Sequence, residues 1–368
     1  MKLTANREGL LTAFQVVSSV VPARSTKPIL TQIKLEASQE QSVLLATDLE
    51  MGVRYQVSGL QIQEPGQAVL RTSEVGMILR ELPDEMLEIE ATDSGITIAG
   101  AASRFELPAS DPLQFPEIPD FGDRKGHRIK AGVLATMVKR THFSVAPENS
   151  RYALHSLLID FVDDKMQMVS TDGKRLALMP GQVTLEGERP EQLSLVPPRT
   201  LTLVQKTVLD PEEEIEIALS DNDILLRSSK VTVYSRLVEG RFPRYQDVIP
   251  SETGVQVPLT VGTFQAAVRQ AKIVTTGESK GVDFRFSEGM LTLESRASDV
   301  GQSEVRLPIG YDGEELIVTF DPQLLLDALR VLDDEEEIIL GMTDAKKASV
   351  LKTRDGYSYV VMPLTRER

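Results

Sequence analysis

The sequence predicts an α+β fold built from three copies of one domain, each with two helices packed on an antiparallel sheet. Asp48 lies in Leu-Ala-Thr-Asp, Asp172 in Val-Ser-Thr-Asp and Asp299 in Arg-Ala-Ser-Asp, each after an alternating apolar run. The intervals are 124 residues (48 to 172) and 127 residues (172 to 299). A second marker keeps step with the first: Leu87-Glu-Ile-Glu-Ala-Thr-Asp93, Ile215-Glu-Ile-Ala-Leu-Ser-Asp221 and Ile338-Ile-Leu-Gly-Met-Thr-Asp344. Two markers in register across three copies point to triplication. A unit of about 120 residues can bury its own core, whereas solenoid units run about 20–50.

The first helix of each copy shows apolar residues at spacings of three and four. These are Leu10, Phe14, Val17 and Val21, then Leu134, Met137, Val138 and Thr141, then Phe264, Ala267, Val268 and Ala271. Their opposite faces carry Arg7, then Lys139 and Arg140, then Arg269 and Lys272. A second helix precedes each later marker, over Val75 to Leu82, Thr200 to Val208 and Gln323 to Val331. Arg80, then Arg199 and Lys206, then Arg330 lie on or beside these helices. The remainder alternates with period two, as in Ser42-Val-Leu-Leu-Ala and Val231-Thr-Val-Tyr, which predicts half-buried antiparallel strands. Polar turns such as Asp221-Asn-Asp223 and Ser287-Glu-Gly289 join them. The connectors Gly122 to Gly126 and Pro250 to Gly254 place the domains at 1–125, 126–253 and 254–368.

Composition narrows the chemistry. The 368 residues carry a net charge of −15, which argues against a surface that coats nucleic acid but permits a local basic stripe. No cysteine is present, so disulfides and thiolate chemistry are excluded, and the composition suits a reducing, cytoplasmic setting. The apolar stretch from Leu10 to Ala23 recurs in pattern inside the chain and reads as a helix, not a signal segment. The three histidines, 127, 142 and 155, lack metal-ligand spacing. No phosphate loop, nucleophile elbow or zinc motif is present, so no cofactor, metal or catalytic residue is expected. The acidic runs Glu212 to Glu214 and Asp333 to Glu337 read as solvated turns.

Three segments are more specific. Thr171-Asp-Gly-Lys-Arg-Leu-Ala177, Val238-Glu-Gly-Arg-Phe-Pro243 and Tyr359-Val-Val-Met-Pro-Leu364 resemble the bacterial DNA polymerase III beta subunit, the replicative sliding clamp. Pro28-Ile-Leu30, Thr47-Asp-Leu-Glu50 and Ser103-Arg-Phe105 resemble it as well. The likeness implies three clamp-type domains per protomer and a head-to-tail homodimer ring of pseudo-sixfold symmetry around duplex DNA. It implies a non-enzymatic processivity factor that holds DNA without regard to sequence. Weak, screened phosphate contacts in the lumen would let such a ring slide.

The resemblance also implies sites. Arg24, Arg80, Asn149, Arg151, Tyr152 and Arg199 match DNA-facing positions. Leu154, Thr171, Gly173, Lys174, Arg175, Leu176, Pro243 and Val248 match one side of a groove for short linear motifs. Leu324, Val360, Val361, Met362, Pro363 and Leu364 match its other side. The implied partners are the replicative polymerase alpha-type subunit, the clamp loader, translesion polymerases, and mismatch-repair or ligase proteins. For ring closure the family pairs Arg104, Phe105 and Leu107 with Ile273, Val274, Asp299 and Glu304 of a second copy. Glu148, Ala153 and Asp247 depart from the residues usual at their positions. Without the resemblance, a triplicated scaffold that binds only proteins fits the same residues, and an enzyme built on scattered carboxylates comes third.

Overall fold

The computed structural model describes residues 1–147, 153–190 and 192–365. All six expected helices form: α1 (Arg7–Ser18), α2 (Thr72–Glu81), α3 (Ala131–Thr141), α4 (Pro198–Thr207), α5 (Val261–Lys272) and α6 (Pro322–Leu329). Local chemistry sets their ends. Asn6 Oδ1 accepts the Gly9 N–H at 2.9 Å to start α1, and Asp321 Oδ1 accepts the Gln323 N–H at 2.9 Å with Pro322 in the first turn of α6. Helix α1 stops at Ser18, so Val21 lies outside it, contrary to the spacing. Val21 precedes Pro22, whose ring disfavours helical geometry in the residue before it. Val331 likewise falls beyond α6.

Two compact units emerge, and the larger sheet of each ignores the repeat boundaries. The first comprises 1–132, 183–192 and 199–237. Its larger sheet runs His127–Lys130, Glu214–Leu219, Asp223–Arg227, Val231–Arg236, Met51–Val57, Ser42–Thr47, Gln32–Ala37, Gly66–Arg71. The join lies between Val231–Arg236 and Met51–Val57, with Val233 opposite Val53. Its smaller sheet runs Leu60–Glu64, Lys2–Asn6, Met86–Thr92, Gly95–Ala99, Arg104–Leu107.

The second unit comprises 133–182, 193–198 and 238–368. Its larger sheet runs Ser194–Val196, Leu157–Val162, Lys165–Thr171, Arg175–Gln182, Ser358–Val361, Ser349–Thr353, Glu337–Met342, Val255–Thr260. Here Leu176 sits opposite Val360. Its smaller sheet runs Gly301–Pro308, Met290–Ala297, Val282–Ser287, Leu316–Phe320. The middle repeat is thus divided between the units, because backbone hydrogen bonding continues from one repeat into the next.

Burial explains why the sheets hold. The strand Ser42–Thr47 is buried at every position, not half-buried as alternation suggested. Helix α1 packs against it, and the connector residues Phe115 and Ile118 cover Val43 and Leu45. In the second unit Phe242 and Tyr245 do the same work over Leu158, Leu176 and Val360. Phe264, Phe284 and Phe320 stack edge to face, with centroids 6.2 and 5.2 Å apart, beneath α5. Among the described residues no helix is long and apolar enough to cross a membrane.

Candidate groove, cation sites and open edges

The repeated Thr-Asp marker is a hairpin turn with a side-chain lock. Thr47 Oγ1 donates to Met51 O (2.8 Å) and accepts the Leu49 N–H (2.9 Å), while Asp48 Oδ1 accepts from the N–H groups of Glu50 (3.1 Å) and Met51 (2.7 Å). The second copy repeats every bond. Thr171 Oγ1 donates to Arg175 O (2.6 Å) and accepts from Gly173 (3.1 Å), and Asp172 Oδ1 accepts from Lys174 (2.9 Å) and Arg175 (3.1 Å). The third residue of the turn is left-handed in both, Leu49 at φ 79° and Gly173 at φ 86°. These aspartates therefore shape turns.

The second copy of this turn forms part of the candidate groove. Arg175 donates through Nε to Asp172 (3.1 Å), through Nη1 to Asp327 on α6 (2.6 Å) and through Nη2 to Phe143 O (2.9 Å), and it lies 5.4 Å from the Phe143 ring centre. Burial works against its charge, yet Asp327, with Tyr359 and Asp172, outweighs burial and lifts its pKa above the ordinary guanidinium value. Met362 N–H donates to Lys174 O (2.9 Å) and Leu364 N–H to Thr319 O (2.8 Å), which fixes the path of the tail beside the turn. Tyr359 OH donates to Leu324 O at 2.7 Å, and burial pushes that phenol above its usual range.

The fourteen groove positions named from sequence divide by exposure. Leu154, Thr171, Leu176, Val360 and Val361 are buried. Gly173, Lys174, Val248, Met362 and Leu364 are exposed, with Arg175, Pro243, Leu324 and Pro363 half-buried between them. Gly240 (φ 149°) lets the connector pass close, since a Cβ there would lie 2.8 Å from that of Ala153. Sequence reading missed Phe143, Phe242, Tyr245 and Asp327. One signal was available: Phe115-Pro116 and Phe242-Pro243 repeat at 127 residues, close to the 124 that separate Asp48 from Asp172.

The helix cations also divide. Arg140 is buried and pairs with Glu336 (3.0 Å) and Asp355 (2.6 Å), so it is a core residue and not part of an open face. Arg7 donates to the backbone of Leu79 and Asp84, and Lys272 donates to Gln323. Arg199 pairs with Asp48 at 2.7 Å and reaches the carbonyls of Ser19 (3.3 Å) and Val20 (3.2 Å). The acidic runs are partnered too, Glu336 by Arg140 and Glu212 by Lys130. What remains is one exposed cation on or just past every helix: Arg24, Arg80, Lys139, Lys206, Arg269 and Arg330. Of these, Arg24, Lys139, Lys206 and Arg269 make no side-chain hydrogen bond or ion pair among the described residues. Asn149, Arg151 and Tyr152, with Glu148, lie outside the described residues.

The residues named for ring closure sit on sheet edges. Arg104, Phe105 and Leu107 form the edge strand of the five-stranded sheet, with Phe105 exposed. Glu304 lies on the edge strand Gly301–Pro308 of the four-stranded sheet, with Asp299 just before it. Ile273, just past α5, is 75% exposed, and Val274 follows it. Arg104 pairs within its own strand with Glu106 at 3.1 Å.

Repeated α+β domains spliced strand to strand, with an exposed cation on or past every helix, define a scaffold built by repetition. Models of the N-terminal, central and C-terminal domains of the DNA polymerase III beta subunit match residues 1–119, 128–244 and 246–365. The beta sliding clamp of Chlamydia pneumoniae is 29% identical over 365 residues, covering 99% of both chains. That of Pseudomonas putida is 29% identical over 370 residues, covering 99% of this chain and 100% of its own. Among solved structures, the DNA polymerase III subunit beta of Pseudomonas aeruginosa superposes with TM-score 0.92 at 25% identity over the whole of both chains. The beta sliding clamp of C. crescentus does so with TM-score 0.90 at 28% identity, covering 100% of this chain and 99% of its own. The chain belongs to the DNA polymerase III beta subunit family.

Proposed function

We propose that this chain is a sliding clamp, a non-catalytic processivity factor that closes as a head-to-tail homodimer around duplex DNA and tethers the replicative polymerase. The topology of its sheets carries the reading. In each eight-stranded sheet the last strand of one repeat pairs with the strand after the Thr-Asp turn of the repeat before it. Two strands are left without such a mate: Arg104–Leu107, the last of repeat one, and Gly301–Pro308, which follows the Asp299 turn of repeat three. Joining them between two copies extends the same splice and covers both edges. Such a contact is heterologous and closes into a ring where its rotation fits; three repeats per copy, six in two copies, support closure as a dimer.

Arg24 and Arg80 are proposed as phosphate contacts together with Lys139, Lys206, Arg269 and Arg330. Arg199, more than half exposed and paired with Asp48, is proposed as a further contact. The groove around Met362, Val248 and Leu364 is proposed as the site for linear motifs of polymerase, loader and repair partners, and the repeats are taken as 1–125, 126–253 and 254–368. Two or three Leu- or Phe-sized anchors contribute about 1.5–3 kcal/mol each, and ordering a flexible peptide offsets much of that. A net near −8 kcal/mol is about micromolar, weak enough for partners to exchange. The deciding experiment loads the protein onto nicked circular DNA and then linearises it. Retention on the circle with loss from the free ends is expected. Equal retention on both forms would favour a scaffold that binds DNA by surface charge or not at all.

A further inference from the structure

We propose that Asp327 and Gln323 on α6 are positioning residues of the motif groove, acting through Arg175. The proposal rests on the groove reading above and extends it to residues outside the groove. An unbroken file of hydrogen bonds runs from the end of α5 to the groove turn. Lys272 Nζ donates to Gln323 Oε1, Gln323 Nε2 donates to Asp327 Oδ1 (2.6 Å), and Arg175 Nη1 donates to Asp327 Oδ2 (2.6 Å). Arg175 Nε then donates to Asp172 Oδ2 (3.1 Å), and Asp172 Oδ1 holds the Lys174 and Arg175 N–H groups. Lys174 O in turn accepts the Met362 N–H at 2.9 Å. Every link joins a donor to an acceptor, and the last two residues stand on the exposed rim of the groove.

The file is polar in one sense only. Gln323 faces an ammonium with its oxygen and a carboxylate with its nitrogen, and turning the amide over would set like against like at both ends. Asp321 caps α6 on the Gln323 N–H, so helix register and amide orientation are fixed together. Both Asp327 oxygens are taken. Arg175 gives one donor to each of three partners and stacks on Phe143. It is thereby committed to holding the turn rather than reaching a ligand. With Asp327 neutralised, the guanidinium keeps only Asp172 as a charged partner, and that carboxylate moves with the turn it caps. Asp327 therefore anchors to α6 a rim that has no other charged tie to that helix among the described residues.

The test measures binding of a fluorescein-labelled peptide, taken from the replicative polymerase subunit and bearing two or three Leu or Phe anchors, by anisotropy. The full-length wild type is compared with a groove control, Met362→Ala/Leu364→Ala, and with Asp327→Asn, Gln323→Ala, Arg175→Lys and Asp327→Asn/Arg175→Lys. Urea midpoints are recorded in parallel. Asp327→Asn is expected to weaken the peptide about tenfold and Gln323→Ala about threefold, the scale on which side chains in such networks act. The double variant should bind no more weakly than its weaker single, a non-additivity in affinity that general loss of stability would not produce. If Asp327→Asn does not fold, Gln323→Ala and Lys272→Met decide, because neither removes a charge paired in the core. Wild-type-like affinity in those variants, with binding lost in the groove control, overturns the positioning role and leaves the groove reading standing. Failure of the wild type to bind any such peptide removes both.

Discussion

Asp48 Oδ2 lies 2.7 Å from Nη1 of Arg199, a residue 151 positions later in the chain and in the next repeat. The pair links the first hairpin turn to the start of α4, and Arg199 adds two bonds to the carbonyls that end α1. Arg199 is more than half exposed, so solvent screens the ion pair and its removal is expected to cost about 1 kcal/mol. Asp48→Ala also releases the Glu50 and Met51 N–H groups and is expected to cost about 2 kcal/mol. Urea denaturation of both singles and the double variant reads the coupling. A coupling energy indistinguishable from zero would mean the pair contributes nothing.

Arg24→Ala/Arg80→Ala separates a DNA role of the exposed cations from a bland one. Arg80, like Lys139, Lys206 and Arg269, stands in the last turn of its helix, where the macrodipole favours positive charge by about 0.3–1 kcal/mol, whereas Arg24 lies well past α1. If they only serve their helices, the double variant melts earlier and holds DNA as before. The clamp reading expects the reverse: a urea midpoint near wild type, and a slope of log retention against log salt that is shallower by about 0.9 per contact removed.

Gly173→Ala isolates backbone strain. No atom lies within 4 Å of the absent Cβ, so the substitution meets no clash and its cost comes from φ 86° alone, about 1 kcal/mol. The equivalent position in the first turn is already strained, with Leu49 at φ 79°. Leu49→Gly is therefore expected to be neutral or stabilising, up to about 1 kcal/mol. Opposite signs at matching positions, read in one set of melts, would verify the turn assignment. Destabilisation by both would show that the Leu49 side chain matters more than its φ.

His127 gives the fold an acid limit. It is fully buried, its Nε2 lies 3.0 Å from Glu188 O, and its Nδ1 accepts the Gly187 N–H at 3.3 Å. That pattern requires a neutral ring. Burial, aided by the charge of Arg189, lowers its pKa. The unfolded chain then binds the proton more readily, so stability is full above the ordinary histidine value of about 6.5 and is lost as pH falls below it. Comparison of wild type with His127→Gln across about pH 5–8 should show a steeper acid loss in the wild type. Parallel curves would exclude His127 as the cause.

How much of this was legible is clearest at residues 139 and 140. Spacing found all six helices, because their apolar faces are local and periodic. It placed Lys139 and Arg140 together on a basic face, yet one is exposed and the other is buried against Glu336 and Asp355. Those partners lie about two hundred residues away, where no local pattern reaches. The strand splices were invisible for the same reason. Alternation marks Val231-Thr-Val-Tyr as a strand without saying that Met51–Val57 is its neighbour. The candidate groove was legible only through the resemblance, since Val360 and Leu176 read as plain core, and the structure buries both.

Ile273→Asp places a charge at the 75%-exposed residue beside the open edge of repeat three. An unpaired charge buried at a closing joint is expected to leave the chain folded but shift its native mass, measured by light scattering, from twice 40.6 kDa towards 40.6 kDa. A mass unchanged at twice the chain value would move the joint elsewhere.

The Asp48 and Asp172 turns are locked by their own side chains, but the third, at Asp299 to Gly301, shows none of those bonds among the described residues. On the clamp reading, two of the three turns in each copy are locked within one polypeptide, and the third is the one that a second copy would meet. An assembly that must admit an endless thread needs one weak stitch among strong ones. On that reading, opening the ring would part a single non-covalent contact and would not have to melt a domain.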